Sequence, residues 1–303
     1  MAVVKVTIVG GAGGVGASTA FNLALMRGGH EVVIADNRPE MITSHAMDLE
    51  QVLEQSPGCS VRGGDLGDVP GSDVVVLLSA TPLTVGTSRL EYLGKNAAIA
   101  DELADAFPAG WSGVALVVTN PVDPLVTRVQ ARTGFDRRRV LGYTLNDSLR
   151  LRTGLAKALG TAPGSVDAWS LGEHGDMSVP LYSRVRVDGE PVLPTADHRA
   201  IAEDYLRNWY VRHVALDSGR SSTWTSGLGV ARMITALDGA GELWPASLVL
   251  DGEYGISGVA VTVPVTLGRE GADQIHEWDI ADEELAALHA SAEFVRAAVS
   301  RIG

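Results

Sequence analysis

"IVGGAGGVGAS", residues 8–18, follows a β-branched run and leads into a helix-length segment, with Gly11, Gly13 and Gly16 in the register G-x-G-x-x-G. Glycines at that spacing allow a tight strand-to-helix turn, close approach of backbone to a pyrophosphate, and a helix N-terminus whose free N–H groups meet phosphate charge. Alone the pattern is weak. Here the next β-branched run, "EVVIAD", ends in Asp36, where a carboxylate accepts from adenosine ribose hydroxyls. Together they point to a dinucleotide site in which Gly14 and Val15 complete the turn. Asp36 repels a ribose 2′-phosphate, so NAD is expected over NADP, with Arg38 the feature that argues the other way.

Working outward, "VVKVTIVG", "EVVIAD", "DVVVLLSA", "GVALVVTN" and "RVLG" alternate with helix-length amphipathic stretches. Such near-continuous apolar runs belong to strands buried on both faces, which predicts a doubly wound parallel sheet. From about residue 147 the pattern changes. "DSLRLRTGLAKALG" reads as a long helix, residues 165–193 as paired strand segments, and 198–240 as long helical stretches. "ASLVLDGEYGISGVAVTVPVTLG" reads as an antiparallel meander, and "DEELAALHASAEFVRAAVSRI" as a closing amphipathic helix with an acidic start. The expectation is a dinucleotide-binding domain over 1–145 and a catalytic domain over 146–303. No Ser/Gly/Pro-rich linker separates them, so the boundary is expected to be packed rather than tethered.

Composition narrows the function classes. The 24 basic and 37 acidic residues leave a net charge of −13, which disfavours nucleic acid and anionic membranes as partners. A lone cysteine, Cys59, makes neither an internal disulfide nor a thiolate metal cluster, and no metal is expected. The apolar runs are strand-sized rather than the roughly 20 residues of a membrane span. Nothing before residue 20 has the character of a signal peptide, so a cytoplasmic protein is expected.

Reducing a ketone with a nicotinamide requires a proton for the developing alkoxide, charge to polarise the carbonyl, and an anchor for the substrate. His174, within "GEHGD", titrates near neutrality and suits proton transfer. Asp147 suits its orientation and stabilisation. Arg150, at i+3 from Asp147, projects from the same helix face and suits a bidentate grip on a carboxylate.

"GGAGGVG" with Asp36, "VTNPVD" at 118–123, "NDSLRLR" at 146–152 and "GEHGDMSVPLYS" at 172–183 occur in that order. In these motifs, over essentially its full length, the chain resembles the lactate/malate dehydrogenase family. The resemblance implies an α/β protein: a Rossmann-type doubly wound parallel sheet followed by an α+β catalytic domain with antiparallel strands. It implies an NAD-dependent enzyme acting on a small 2-oxo or 2-hydroxy acid, and a homodimer or homotetramer. It makes His174 the proton donor and acceptor, Asp147 its partner, and Arg150 the clamp on the substrate carboxylate. It places Asn120 beside nicotinamide and substrate, ahead of a cis bond to Pro121, and makes Arg89 the carbonyl-polarising arginine of a mobile loop. Ala80, Asn96 and Thr119 join the cofactor set, and Asp176 supports the site without taking part in the chemistry.

One departure from the family pattern bears on substrate. In "SATPLTVGTSR", counting back without a gap from Arg89, Leu83 occupies the specificity position that carries arginine in malate dehydrogenases and glutamine in many lactate dehydrogenases. A leucine cannot pair a second carboxylate, and burying one against it costs on the order of several kcal/mol. Leu83, with Thr84 and Val85, therefore suggests an uncharged substrate side chain. The alternative is a malate-type or phosphonolactate-type enzyme in which Arg220, just before Ser222 and Thr223 of the expected pocket wall, holds a distal acid. An NAD-dependent glycosidase is set aside because no metal-ligand spacing accompanies Cys59. A catalytically silent dinucleotide-binding regulator predicts loss of at least one of Arg89, Asp147, Arg150 and His174, all of which are present.

Overall fold

The structure is a computed structural model that describes residues 4–26, 28–56, 58–81, 89–218, 221–239 and 241–302, with only the backbone described for Arg89 and Leu90. Leu83, Thr84, Val85 and Arg220 lie outside the described residues.

The first half is β1 (Lys5–Val9), α1 (Gly14–Leu25), β2 (Glu31–Ala35), α2 (Pro39–Gln55), β3 (Ser60–Gly64), β4 (Val74–Leu77), α3 (Arg89–Asp105), β5 (Val114–Val117), α4 (Val122–Thr133) and β6 (Val140–Tyr143). These strands lie in the order β3-β2-β1-β4-β5-β6, all parallel. Alternate residues supply opposite faces: Val74, Val76, Val114 and Leu116 join one core, and Val75, Leu77, Ala115 and Val117 the other. Both faces are covered by helices, which is why these strands read as unbroken apolar runs. Each valine or leucine among them, fully buried, contributes roughly 1.5–3 kcal/mol. The sequence reading missed β3, "SVRGG", because it is a half-exposed edge strand with neither an apolar run nor clean alternation.

The second half is α5 (Leu145–Leu159), β7 (Val166–Asp167), β8 (Ser170–Gly172), β9 (Ser178–Pro180), β10 (Arg186–Val187), β11 (Glu190–Pro191), α6 (Ala196–Ala215), α7 (Thr223–Ala236), β12 (Leu243–Asp251), β13 (Ser257–Gly268), β14 (Gly271–Ile275) and α8 (Asp282–Ser300). The meander does not form a separate sheet. β12 pairs antiparallel with β6, through Ala246 opposite Tyr143 and Ser247 opposite Gly142, so the sheet continues through β13 to β8 and β9. The strand ends that carry the glycine turn and the hairpin that carries His174 thereby belong to one continuous sheet.

α7 lies directly on α1. A Cβ on Gly227 would fall 2.2 Å from Ser18 Oγ, and one on Gly14 would fall 3.1 Å from Thr223 Oγ1. That close approach brings the start of α7, with Ser222 and Thr223, against the glycine turn.

Candidate active site

The cofactor cradle is the β1–α1 turn. A Cβ on Gly16 would sit 2.5 Å from Gly11 Cα, so only glycine lets α1 close down on the turn. Gly13 is the N-cap of α1 and makes no side-chain cap, and no acidic residue lies in the first turn. Among the described residues, a Cβ on Gly13 would meet only Gly10 O, at 3.3 Å. An uncapped, acid-free helix N-terminus with an open approach fits a pyrophosphate. Asp36, at the end of β2, fits the ribose, but here its carboxylate is engaged. It accepts from the Ala12 N–H at 3.1 Å and from Arg38 Nε and Nη2 at 2.9 and 3.1 Å. Burial raises the Asp36 pKa, and the Arg38 hydrogen bonds and charge more than reverse this, leaving it below the usual carboxylate range. Arg38 therefore covers Asp36, whose side chain is 5% exposed.

At the ends of β4 and β5, Ala80 and Asn120 are exposed, and the Asn120–Pro121 peptide is cis, as the resemblance implied. Asn96 and Thr119, expected to touch the cofactor, are buried and occupied by backbone. Asn96 Oδ1 accepts from Thr81 N–H at 2.8 Å and its Nδ2 donates to Asn120 O at 2.7 Å. Thr119 Oγ1 donates to Leu77 O and Ser79 O at 3.2 and 3.0 Å. Both side chains brace the cleft walls, because buried amides and hydroxyls must find partners.

His174 sits in the turn between β8 and β9. Gly172 enters that turn at φ +81, and a Cβ there would fall 2.6 Å from Ser291 Oγ, so the position requires glycine. The Glu173 carboxylate then closes the loop by accepting from Met177 N–H at 2.8 Å. The turn delivers His174 to α5, where its Nδ1 lies 2.6 Å from Asp147 Oδ2. A carboxylate there selects the tautomer that donates from Nδ1 and leaves Nε2 for proton exchange. Arg150, one turn along α5, reaches Asp147 Oδ1 at 3.4 Å. Three residues singled out from two separate stretches of sequence thus converge. α5 is itself anchored by Asn146, whose Oδ1 accepts from Tyr143 Oη at 3.0 Å and whose Nδ2 donates to Ser226 Oγ at 2.9 Å.

Two acids at this site were not identified as functional from sequence. Asp123, only 1% exposed, accepts from the His174 backbone N–H at 2.7 Å and from Ser247 Oγ at 2.6 Å. Burial pushes its pKa up to about 6 against those two hydrogen bonds. Glu173 is pushed up to about 7, by burial and then by the charge of Asp123. Both lie within motifs already noted, "VTNPVD" and "GEHGD"; the available signal was an acid three residues beyond Asn120 and one adjoining His174. Burial lowers the His174 pKa, and the Asp147 charge and hydrogen bond, with Asp123 behind them, raise it above its ordinary value. The shift favours the imidazolium more than in a free histidine, which suits a side chain able to donate a proton.

The remaining expected residues are less involved. Asp176 is exposed and contributes its backbone carbonyl to Arg207. Ser222 and Thr223 are half-buried at the start of α7. Arg89 is the first residue of α3, with its side chain outside the described residues.

Residues 4–142 match the model of the lactate/malate dehydrogenase NAD-binding domain, and residues 144–302 that of the lactate/malate dehydrogenase α/β C-terminal domain. The chain is 36% identical over 304 residues to a malate dehydrogenase of Halobacterium salinarum, covering 98% of this chain and 99% of that one. It is 33% identical over 312 residues to an L-lactate dehydrogenase of Treponema denticola, covering 98% of each. Its structure superposes on the minor L-lactate dehydrogenase of Enterococcus mundtii with a TM-score of 0.89 at 28% identity, covering 99% of both chains.

Proposed function

Because the chain belongs to the lactate/malate dehydrogenase family, NAD-dependent oxidoreductases acting on CH–OH groups, we propose that it interconverts a small 2-oxo acid whose side chain is uncharged with the corresponding 2-hydroxy acid. The observation that carries the reaction type is the convergence of His174, Asp147 and Arg150. The register that sets Leu83 at the specificity position carries the choice of side chain.

Bound NADH supplies the hydride. Arg150 grips the substrate carboxylate at two points, which fixes the 2-oxo carbon within reach of His174. Arg89 polarises the carbonyl, with Asn120 beside it. His174 gives its Nε2 proton to the developing alkoxide, and Asp147 stabilises the imidazolium that exists before that transfer. In oxidation the same nitrogen accepts the proton. We place the enzyme in the cytoplasm as a homodimer or homotetramer. The exposed apolar side chains Phe21 and Leu25 on α1 and Leu228 on α7, two helices that pack together, support self-association.

The test is loss of NADH absorbance with oxaloacetate, pyruvate, 2-oxoisocaproate, phenylpyruvate and phosphonopyruvate, repeated with NADPH for the best acid. Preference for the apolar acids supports Leu83 as the specificity residue. Preference for oxaloacetate or phosphonopyruvate transfers the distal contact to another cation, Arg220 first. No turnover of any acid refutes the reading.

A further inference from the structure

Arg150 is weakly held for a residue that must present a planar fork. Among the described residues its hydrogen bonding is the single 3.4 Å contact to Asp147 Oδ1, while the other oxygen of that carboxylate serves His174. A guanidinium that grips a carboxylate at two points needs its plane fixed, and one long hydrogen bond leaves the plane free to turn.

The fixing surface is on α6, which packs along α5. The indole of Trp209 lies with its centroid 4.5 Å from Arg150 Cζ. Stacking of this kind holds the guanidinium by its face and leaves its N–H edges available. The indole is itself oriented: the His213 imidazole, one turn further along α6, stacks on it at 5.0 Å and an interplanar angle of 12°. One turn in the other direction, Tyr205 takes the Lys157 ammonium 5.4 Å from its ring, so a second cation of α5 also rests on an aromatic ring of α6. Arg207 of α6 donates to the Asp176 carbonyl in the loop that carries His174. α6 therefore braces both the proton-transfer loop and the arginine.

We propose that Trp209 is a positioning residue for substrate binding, orienting Arg150 as a carboxylate clamp by cation–π stacking. The proposal rests on the dehydrogenase reading above. Trp209 is half-buried and, among the described residues, lies outside the hydrophobic core clusters.

The experiment compares the wild type with Trp209→Leu and Trp209→Phe. It measures kcat and KM for the best 2-oxo acid, the Kd of oxamate with NADH bound, and the Kd of NADH alone. Oxamate carries the carboxylate and is not reduced, so it reads the clamp without the chemistry. Loss of a cation–π contact weakens the grip about 2- to 30-fold. Trp209→Leu should therefore raise the oxamate Kd and the substrate KM by that factor, with kcat within about twofold and NADH affinity unchanged. Trp209→Phe, which keeps an aromatic face, should recover most of the loss. Unchanged oxamate affinity in Trp209→Leu overturns the proposal. So does an equal loss in both variants accompanied by weaker NADH binding, which would mark the indole as packing only. A wild type inactive on every 2-oxo acid overturns the dehydrogenase reading instead, and this proposal with it.

Discussion

Replacing Asp147 by asparagine keeps the shape of the side chain and an oxygen able to accept from His174 Nδ1, but removes the charge. The structure sets the size of the effect. The His174–Asp147 contact is 2.6 Å long and nearly dry, with side-chain exposures of 13% and 8%. A hydrogen bond to a charged group in such a setting is worth about 1.5–3 kcal/mol, or about 10- to 150-fold in kcat/KM when the charged form is the one that reacts. The sign in pH follows from the same balance. Burial lowers the imidazole pKa, and the charge and hydrogen bond of Asp147 together with the charge of Asp123 reverse it; removing the Asp147 charge takes away the largest of the raising causes. In the reductive direction, where His174 must be protonated, activity is lost as pH rises through the His174 pKa. For Asp147→Asn that alkaline limb should move to lower pH, and in the oxidative direction the rise in activity should begin at lower pH. The assay is kcat/KM in both directions from pH 5 to 9, with NADH affinity measured in parallel. An alkaline limb at the wild-type position, with kcat/KM within about twofold of wild type, would refute the assignment of Asp147 and His174 as a working pair.

Other substitutions address the remaining parts of the site. Arg150→Lys replaces a planar fork with a point charge, so KM for the 2-oxo acid should rise about tenfold or more while NADH affinity stays the same; a KM equal to wild type in steady-state kinetics removes Arg150 from the clamp. Gly16→Ala drives a Cβ to 2.5 Å from Gly11 Cα, so NADH affinity should fall about tenfold or more in a fluorescence titration. Wild-type affinity there would mean that the turn is not the pyrophosphate cradle. Glu173 holds its proton between its ordinary 4.5 and about 7, so in that window the folded state binds more protons than the unfolded one and stability falls as pH rises. Urea unfolding of Glu173→Gln should show a smaller loss of stability from pH 5 to 7.5 than wild type, and parallel pH curves would contradict the burial argument.

Much of the molecule was legible because the signals were local. The glycine register, the strand before it and the acid ending β2 lie within 36 residues of the start, and a strand-to-helix turn is a short-range object. β4 and β5 announced themselves as "VVVL" and "VALV" because helices cover both faces of the sheet, leaving no polar side to alternate with. β3 was lost because an edge strand carries no such demand.

Residue chemistry and family likeness singled out His174, Asp147 and Arg150 from sequence, and Asp147 and Arg150 share a helix face by spacing alone. What spacing could not supply was the distance from Asp147 to a histidine 27 residues away. That is set where β8 joins β13 and β12 joins β6, long-range pairings whose partners no local pattern names. The same holds for Asp123, whose acid was visible but whose work is done on Ser247, 124 residues distant, and on the backbone of His174. Asn96 shows the converse: the family resemblance implied a cofactor contact, and only the folded chain, which sets α3 against the segments that follow β4 and β5, gives both ends of its amide backbone partners. Sequence by itself determined which chemical groups this protein has and the local turns that present them. Tertiary structure decided which of those groups meet, because burial, and the need of every buried polar atom for a partner, act on the folded chain and not along it.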